Sequence, residues 1–345
     1  MCSIFGILDY EGKAKHSLKE KLIQNLAIAA EIRGTDATGI SYVQDGSIVI
    51  YKEPKAAHEV KLNFPNGTKV VMGHTRMATQ GSELRNYNNH PFNGCCGQEE
   101  FALAHNGILY NDRELREEKN LPPTCIETDS YIAVQLLERS SELNMENVKS
   151  MAETIQGSFM ITILRNDNTM FFARGDNPIV MYYIPELGIY AYASTAQILN
   201  DALKETGING LECEIVRITT EEIVAISEDS IVREDFTENR RYGGYNYSYG
   251  SYYRGHGGSY GYGGYYGGGC YGWDLDDEEE PTSKVKSTID LLYEYGNLYG
   301  IDRMTIDALL EYGFDADIIE EMFYDKQLFN MALEEIRSCK DVVYI

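Results

Sequence analysis

The stretch GSFMITILRNDNTMFFARGDNPIVMYYIPELGIYAYA, residues 157–193, decides the fold class. Short apolar and aromatic runs at 157–165, 169–174, 179–184 and 189–193 are separated by Asn-Asp-Asn, Gly-Asp-Asn-Pro and Pro-Glu-Leu-Gly, the punctuation of turns between strands. Two more strands are expected at 211–218 and 221–227. Upstream, 127–139 and 145–155 carry apolar side chains at helical spacing instead. Strands follow strands and helices follow helices, which suits sheets packed against helices in an α+β domain better than a regular βαβ alternation.

Further toward the N-terminus, Ser3-Ile4-Phe5-Gly6-Ile7-Leu8 reads as a short buried strand with Cys2 at its start. Residues 17–32 read as an amphipathic helix behind a Ser17 cap. Gly39–Tyr51 alternates across Asp45-Gly46, a hairpin signal, and Thr68–His74 is another β-rich run. Toward the C-terminus the composition changes at about Arg240. Tyrosine and glycine dominate, an acidic Asp274–Glu280 run follows, and aliphatic residues are too few to offset ordering entropy by burial. After Pro281, helical periodicity returns at 286–296, 304–312, 316–324 and 327–338. The expected organisation is therefore a large domain over 2–238, a Tyr/Gly-rich then acidic linker over 239–280, and a small helical domain over 281–345.

Composition narrows the function classes. A net charge of −24 argues against nucleic-acid binding, because a polyanion attracts basic surfaces. The hydrophobic content of 43% is ordinary, and no apolar run approaches the roughly 18 residues of a membrane span. Seven cysteines (Cys2, Cys95, Cys96, Cys125, Cys213, Cys270, Cys339) are an odd number at irregular spacing, without a secretory signal, so a reduced cytoplasmic setting is expected. No ligand spacing for a metal is evident, no cofactor is expected, and no phosphosugar, phosphoribosyl or nucleotide-binding motif such as a glycine-rich phosphate loop follows residue 240.

Cys2 is the candidate nucleophile. Removal of Met1, which a small second residue permits, would leave a free α-amine beside the thiol. An α-amine ordinarily titrates at about 7.7–8.0 and a thiol at about 8.5, so the first can take the proton of the second near neutral pH. Taken alone, Cys2 reads more readily as a small buried apolar residue.

Its company changes that. Cys2-Ser3-Ile4-Phe5-Gly6, Arg33-Gly34-Thr35-Asp36-Ala37-Thr38-Gly39, Gly73-His74-Thr75-Arg76-Met77-Ala78-Thr79-Gln80-Gly81, His105-Asn106-Gly107-Ile108 and Glu127-Thr128-Asp129-Ser130 occur in the order found in the class II glutamine amidotransferases, and the chain resembles that family. Weaker matches at Gln156–Phe159, Arg174–Pro178 and Ala193–Thr195 extend the resemblance over roughly residues 2–235. It implies a four-layer αββα sandwich of the N-terminal-nucleophile hydrolases, with Cys2 attacking the side-chain amide of glutamine. Asn106 and Gly107 would supply the oxyanion donors. Arg76, a planar fork of donors, suits the α-carboxylate of glutamine and Asp129 its α-ammonium, with Thr79 also on the substrate side. Arg33 and His74 would support the site, and His105, like His74, has no role as general base. Out of context, Arg76 reads as a surface charge, Asp129 as a helix N-cap and Asn106-Gly107 as a turn; Asp129 is expected to serve as cap and ligand together.

Gln80 and Met77 depart from the family, several of whose members have histidine and often an aromatic residue there, and Cys95-Cys96 does not belong to its motifs. No synthase motif follows residue 240. The ammonia is therefore expected to pass to a separate protein subunit or to be released by a free-standing glutaminase, and a homo-oligomer is compatible with the sequence. Two other readings stay open: an amidase acting on another amide or a protein γ-glutamyl group, and a non-catalytic binding or regulatory module.

Overall fold

The computed structural model describes residues 2–239 and 301–312, with single positions between 292 and 333. The chain divides into two units, residues 1–241 and 242–345. The first contains β1 (Ser3–Leu8), α1 (His16–Ala29), β2 (Ala37–Gln44), β3 (Ser47–Glu53), β4 (Val70–Arg76), β5 (Phe92–Cys96) and β6 (Glu99–Leu109). There follow α2 (Asp112–Glu118), α3 (Tyr131–Leu137), α4 (Met145–Thr154), β7 (Gly157–Arg165), β8 (Met170–Arg174), β9 (Val180–Ile184) and β10 (Ile189–Ala193). It ends with α5 (Ala196–Thr206), β11 (Glu214–Ile215), β12 (Glu222–Ile226) and β13 (Ile231–Asp235).

The strands form two antiparallel sheets. One has seven strands in the order β11-β9-β10-β1-β4-β2-β3, the other six in the order β13-β12-β8-β7-β6-β5. Side chains alternate across a strand, so each sheet can serve two apolar layers at once. Phe5, Ile7, Val71 and Ala191 point from the seven-stranded sheet to Leu22 and Ile23 of α1 and Leu199 and Leu203 of α5. Phe101, Leu103, Ile161 and Ile163 point from the six-stranded sheet to Ile132 of α3 and Val148 of α4. The intervening residues, Ile4, Leu8, Val70, Met72, Ala102, Ala104, Met160 and Phe172, fill the layer between the sheets. The architecture is helix, sheet, sheet, helix, as the resemblance implies. At about 1.5–3 kcal/mol for each fully buried aliphatic or aromatic side chain, these three layers dominate the stability of the unit.

A buried ion pair ties α1 to the end of β1. Lys19 Nζ lies 2.7 Å from Asp9 Oδ2 and donates also to the Thr68 carbonyl at 2.8 Å, while Asp9 Oδ1 accepts from Gly12 N at 2.8 Å. The Asp45-Gly46 hairpin turn has both residues at positive φ, 51° and 78°, the geometry that favours Asn-Gly and Asp-Gly pairs.

Several expectations need correction. Helix α1 starts at His16, and Lys15 rather than Ser17 is its N-cap, because Leu18 N and Lys19 N both bond the Lys15 carbonyl. The helix expected from 127 begins only at Tyr131, and the strand expected over 211–218 pairs only at Glu214–Ile215. Strands β5, β6 and β13 and helices α2 and α5 are additional.

In the second unit α6 (Arg303–Tyr312) falls where 304–312 is expected helical. Its Ile306 and Leu309 gather with Leu292, Ile319, Met322 and Ala332 in a separate buried cluster. The expected linker and the helices at 286–296, 316–324 and 327–338 lie wholly or largely outside the described residues. Among the described residues no helix is long and apolar enough to cross a membrane.

Candidate active site

Strand alternation decides which side chains meet. Ile4 and Leu8 face the inter-sheet layer, so Cys2, two residues before Ile4, shares their face. On β4, Val70 and Met72 face inward, which puts His74 and Arg76 on the same side. On β6, Ala102 and Ala104 do likewise, and Asn106 continues the row. Ser3 pairs with Thr75, so Cys2 and Arg76 end their strands side by side. Three widely separated motifs thus converge at one end of the inter-sheet layer.

The Cys2 end is clamped by the loop after α1. Arg33 Nε donates to the Cys2 carbonyl at 2.9 Å. Asp36 N donates to the Arg76 carbonyl at 2.9 Å, and Asp36 Oδ2 accepts from Ala78 N at 2.7 Å. Gly34 must be glycine: a Cβ there would lie 2.5–2.6 Å from the Arg76 carbonyl and Met77 N. Gly34 and Asp36 sit in a motif that the sequence displays, but their bracing contacts require the fold. Burial pushes the Cys2 thiol up; a backbone hydrogen bond at Met77 and the Arg76 charge pull it down, and Asp129 adds to the rise. The thiol itself donates to the Met77 carbonyl at 3.5 Å.

Asn106 is buried, with Nδ2 3.5 Å from Ser194 Oγ. Ser194 in turn accepts from Ile4 N at 2.9 Å, so the Asn106 amide is referenced to the strand that carries Cys2. The Asn106 carbonyl accepts from Asn177 Nδ2 at 2.9 Å. Gly107 has φ +143°, and a Cβ would lie 1.9 Å from the Ser158 carbonyl, so no other residue fits. Ser194 and Asn177 lie in the weaker sequence matches, which alone do not disclose these contacts.

Arg76 is buried and heavily engaged. Its Nη1 donates to Asn89 Oδ1 at 2.6 Å, and its Nη2 donates to the carbonyls of Gln80 at 2.5 Å and Gly81 at 3.0 Å. It therefore shapes the 77–85 loop as well as facing the site. Burial lowers its pKa, against the raising influence of Cys2, Glu83, Asp36 and Asp129. Asn88 and Glu127 fasten that loop to the segment before α3 through Asn88 Nδ2 to Glu127 Oε2 at 2.8 Å and Glu127 N to Asn88 Oδ1 at 2.9 Å. Thr79 and Met77 lie on the loop, and both are exposed.

Asp129 is buried, but it is not a helix cap. Ser130 occupies the N-cap position of α3 and makes no capping hydrogen bond, whereas Asp129 Oδ2 accepts from Leu109 N at 2.6 Å. The carboxylate ties the start of α3 to the end of β6. The pKa of His74 is held down at about 3, by burial first and then by the nearby Arg76, His105 and Lys52; its Nε2 donates to the His105 carbonyl at 3.1 Å. The ring of His90, also depressed by burial, packs 4.2 Å from that of His74. These imidazoles are neutral packing groups that join the two sheets. Among the described residues no group of three or more His, Cys, Asp or Glu side chains is arranged to hold a metal ion.

Comparisons with known proteins agree with this geometry. Residues 74–201 match the glutamine amidotransferase domain family, a span that includes Arg76, Asn106, Asp129 and Ser194 and begins after Cys2 and Arg33. Glutamine–fructose-6-phosphate aminotransferase (isomerizing) of Sulfolobus acidocaldarius is 30% identical over 191 residues, 52% of this chain and 31% of that protein. The Bacillus cereus enzyme of the same name is 28% identical over 247 residues, 69% of this chain and 39% of that one. The chain thus spans about a third of the length of these curated relatives. Among solved structures, glutamine phosphoribosylpyrophosphate amidotransferase from B. subtilis superposes with a TM-score of 0.53 at 22% identity, over 69% of this chain and 50% of that one. The structure described as the allosteric regulatory enzyme of purine biosynthesis gives 0.54 at 21% identity with the same coverage. Residues 74–201 are thus similar to a glutamine amidotransferase domain, and the N-terminal unit shares its αββα fold with the two amidotransferase-type structures.

Proposed function

We propose that the N-terminal unit hydrolyses the side-chain amide of glutamine, with Cys2 as nucleophile and its own α-amine as base once Met1 is removed. The observation that carries this reading is the convergence of Cys2, Arg76 and Asn106 on one face, with Asp129 close enough to bear on the Cys2 thiol. The amine takes the thiol proton, and the thiolate attacks the amide carbon. Asn106 Nδ2 and the Gly107 N–H receive the oxyanion. Collapse of the intermediate expels ammonia, protonated by the terminal ammonium, and water then hydrolyses the glutamyl thioester to glutamate. Arg76 holds the substrate α-carboxylate, Asp129 its α-ammonium, and Thr79 lies on the loop above them.

The ammonia goes to an acceptor protein, a reading supported by residues 239–345, which carry no synthase motif. The domain occupies 2–238, and 239–280 links it to a helical domain over 281–345. Free thiols at Cys2, Cys95, Cys96, Cys125 and Cys213 suit a reduced, cytoplasmic compartment. The test is glutamine-dependent release of ammonia and glutamate, with Met1 removal verified by mass spectrometry. Cys2→Ala abolishes release, and a diazoketone analogue of glutamine labels Cys2 alone. Activity retained in Cys2→Ala overturns the mechanism.

One observation favours a second reading, in which the substrate is another amide. Both hydrogens of Arg76 Nη2 and one of Nη1 are committed to Asn89, Gln80 and Gly81, so a two-pronged grip on a carboxylate requires the loop to let go. A substrate panel in which free glutamine is inert and a peptide amide is cleaved would establish that reading.

A further inference from the structure

Serine at the N-cap of a helix ordinarily spends its hydroxyl on a helix N–H. Ser130 does not. It stands at the N-cap of α3 with no capping bond, and its Oγ lies 2.8 Å from His105 Nδ1 and 3.4 Å from Asp129 Oδ1. All three residues are buried. The other Asp129 oxygen is already fixed by Leu109 N at 2.6 Å, and the Ser130 hydroxyl is the side-chain donor within reach of Oδ1. The His105 carbonyl accepts from His74 Nε2, and His74 lies two residues before Arg76 on the same face of β4. Contacts therefore run from His74 to the His105 backbone, and from the His105 ring through Ser130 to Asp129, with the donor between His105 and Ser130 set by the His105 tautomer.

We infer that Ser130, held by His105, is a positioning residue that aims the Asp129 carboxylate at the substrate α-ammonium and so sets selectivity for an α-amino acid rather than the rate of amide cleavage. With the proton of His105 on Nδ1, that N–H donates to Ser130 Oγ, and the only hydroxyl proton of Ser130 is left to donate to Asp129 Oδ1. With the proton on Nε2, beside the Ser158 carbonyl, the hydroxyl turns toward His105 and Oδ1 loses its donor. The inference rests on the proposed role of Asp129.

The test compares glutamine with glutaramate, which keeps the amide and the carboxylate and lacks the α-ammonium, in the full chain. Wild type prefers glutamine. Ser130→Ala reduces that preference on the order of tenfold through KM for glutamine, with kcat and the glutaramate parameters little changed, and Ser130→Thr restores it. Equal losses on both substrates, or none, overturn the inference when Asp129→Asn abolishes the preference. Asp129→Asn with the preference intact overturns the role of Asp129 itself, and the inference with it. If Ser130→Ala does not fold, Ser130→Cys, close in size with a weak donor, carries the same comparison.

Discussion

In the proposed mechanism Asn106 and Gly107 act through different atoms, so their variants should separate accordingly. Asn106→Ala removes a side-chain donor from a pocket whose backbone is held independently by Asn177. The expected outcome is a kcat lower by about 10²–10³ with KM little changed, measured as steady-state ammonia release. Gly107→Ala places a methyl 1.9 Å from the Ser158 carbonyl at a φ of +143°, so loss of folded protein is expected, read as a lower thermal midpoint. At this scale the sequence is informative about identity and poor about partners. Cys2, Arg76 and Asn106 could be picked out from motif order, and strand alternation then brings them together. The contacts of Asp129 and Arg76 could not. A carboxylate before a helix has the same local signature whether it caps that helix or bonds a strand distant in sequence, and only the fold sets Leu109 N against Asp129.

The legibility of an element depends on whether its signal is local. The Asp45-Gly46 hairpin carries its own turn chemistry, and β7 is a clean apolar run bounded by polar residues. Helix α5 carries a Thr195 side-chain cap on Ile198 N and a Gly207 C-cap at φ +84°, signals present in the sequence though the helix is not among those expected. Strand β6 is harder, because it is buried along much of its length and interrupted by His105, Asn106 and Gly107. Joining elements is where charge enters. Asp9→Leu strips Lys19 of its buried partner between β1 and α1, leaving an uncompensated cation. A loss of about 3–5 kcal/mol is expected by urea unfolding, and the double variant Asp9→Leu, Lys19→Met recovers most of it.

Across the whole N-terminal unit, the pairing order of the sheets is the least legible feature. Strand β1 lies between β4 and β10, and nothing local in Ser3–Leu8 names either neighbour. The sheets also carry a pH dependence. Burial depresses His74, His90 and His105 below the ordinary imidazole value, His74 to about 3, so the unfolded chain binds protons that the native state refuses. Stability from these groups is complete above about pH 6.5 and is lost as pH falls toward 3. His90→Phe, which keeps an aromatic ring against His74 and Phe92, should flatten the decline by up to about 1.4 kcal/mol per pH unit between pH 6 and 4, measured by denaturant unfolding. All three apolar layers and every candidate site residue lie within residues 1–241, so a chain ending at 241 should unfold cooperatively and keep any glutamine-dependent ammonia release.

The central place of β1 also imposes an order in time. Its partners are residues 70–76 and 189–193, so in a chain synthesised from Met1 the first strand waits for neighbours made long after it. At about 5–20 residues per second, β10 follows β1 by roughly 10–40 s. Through that interval β1 lacks the strands that later flank it, and the removal of Met1 that the proposed mechanism requires would come before Cys2 settles beside Arg76.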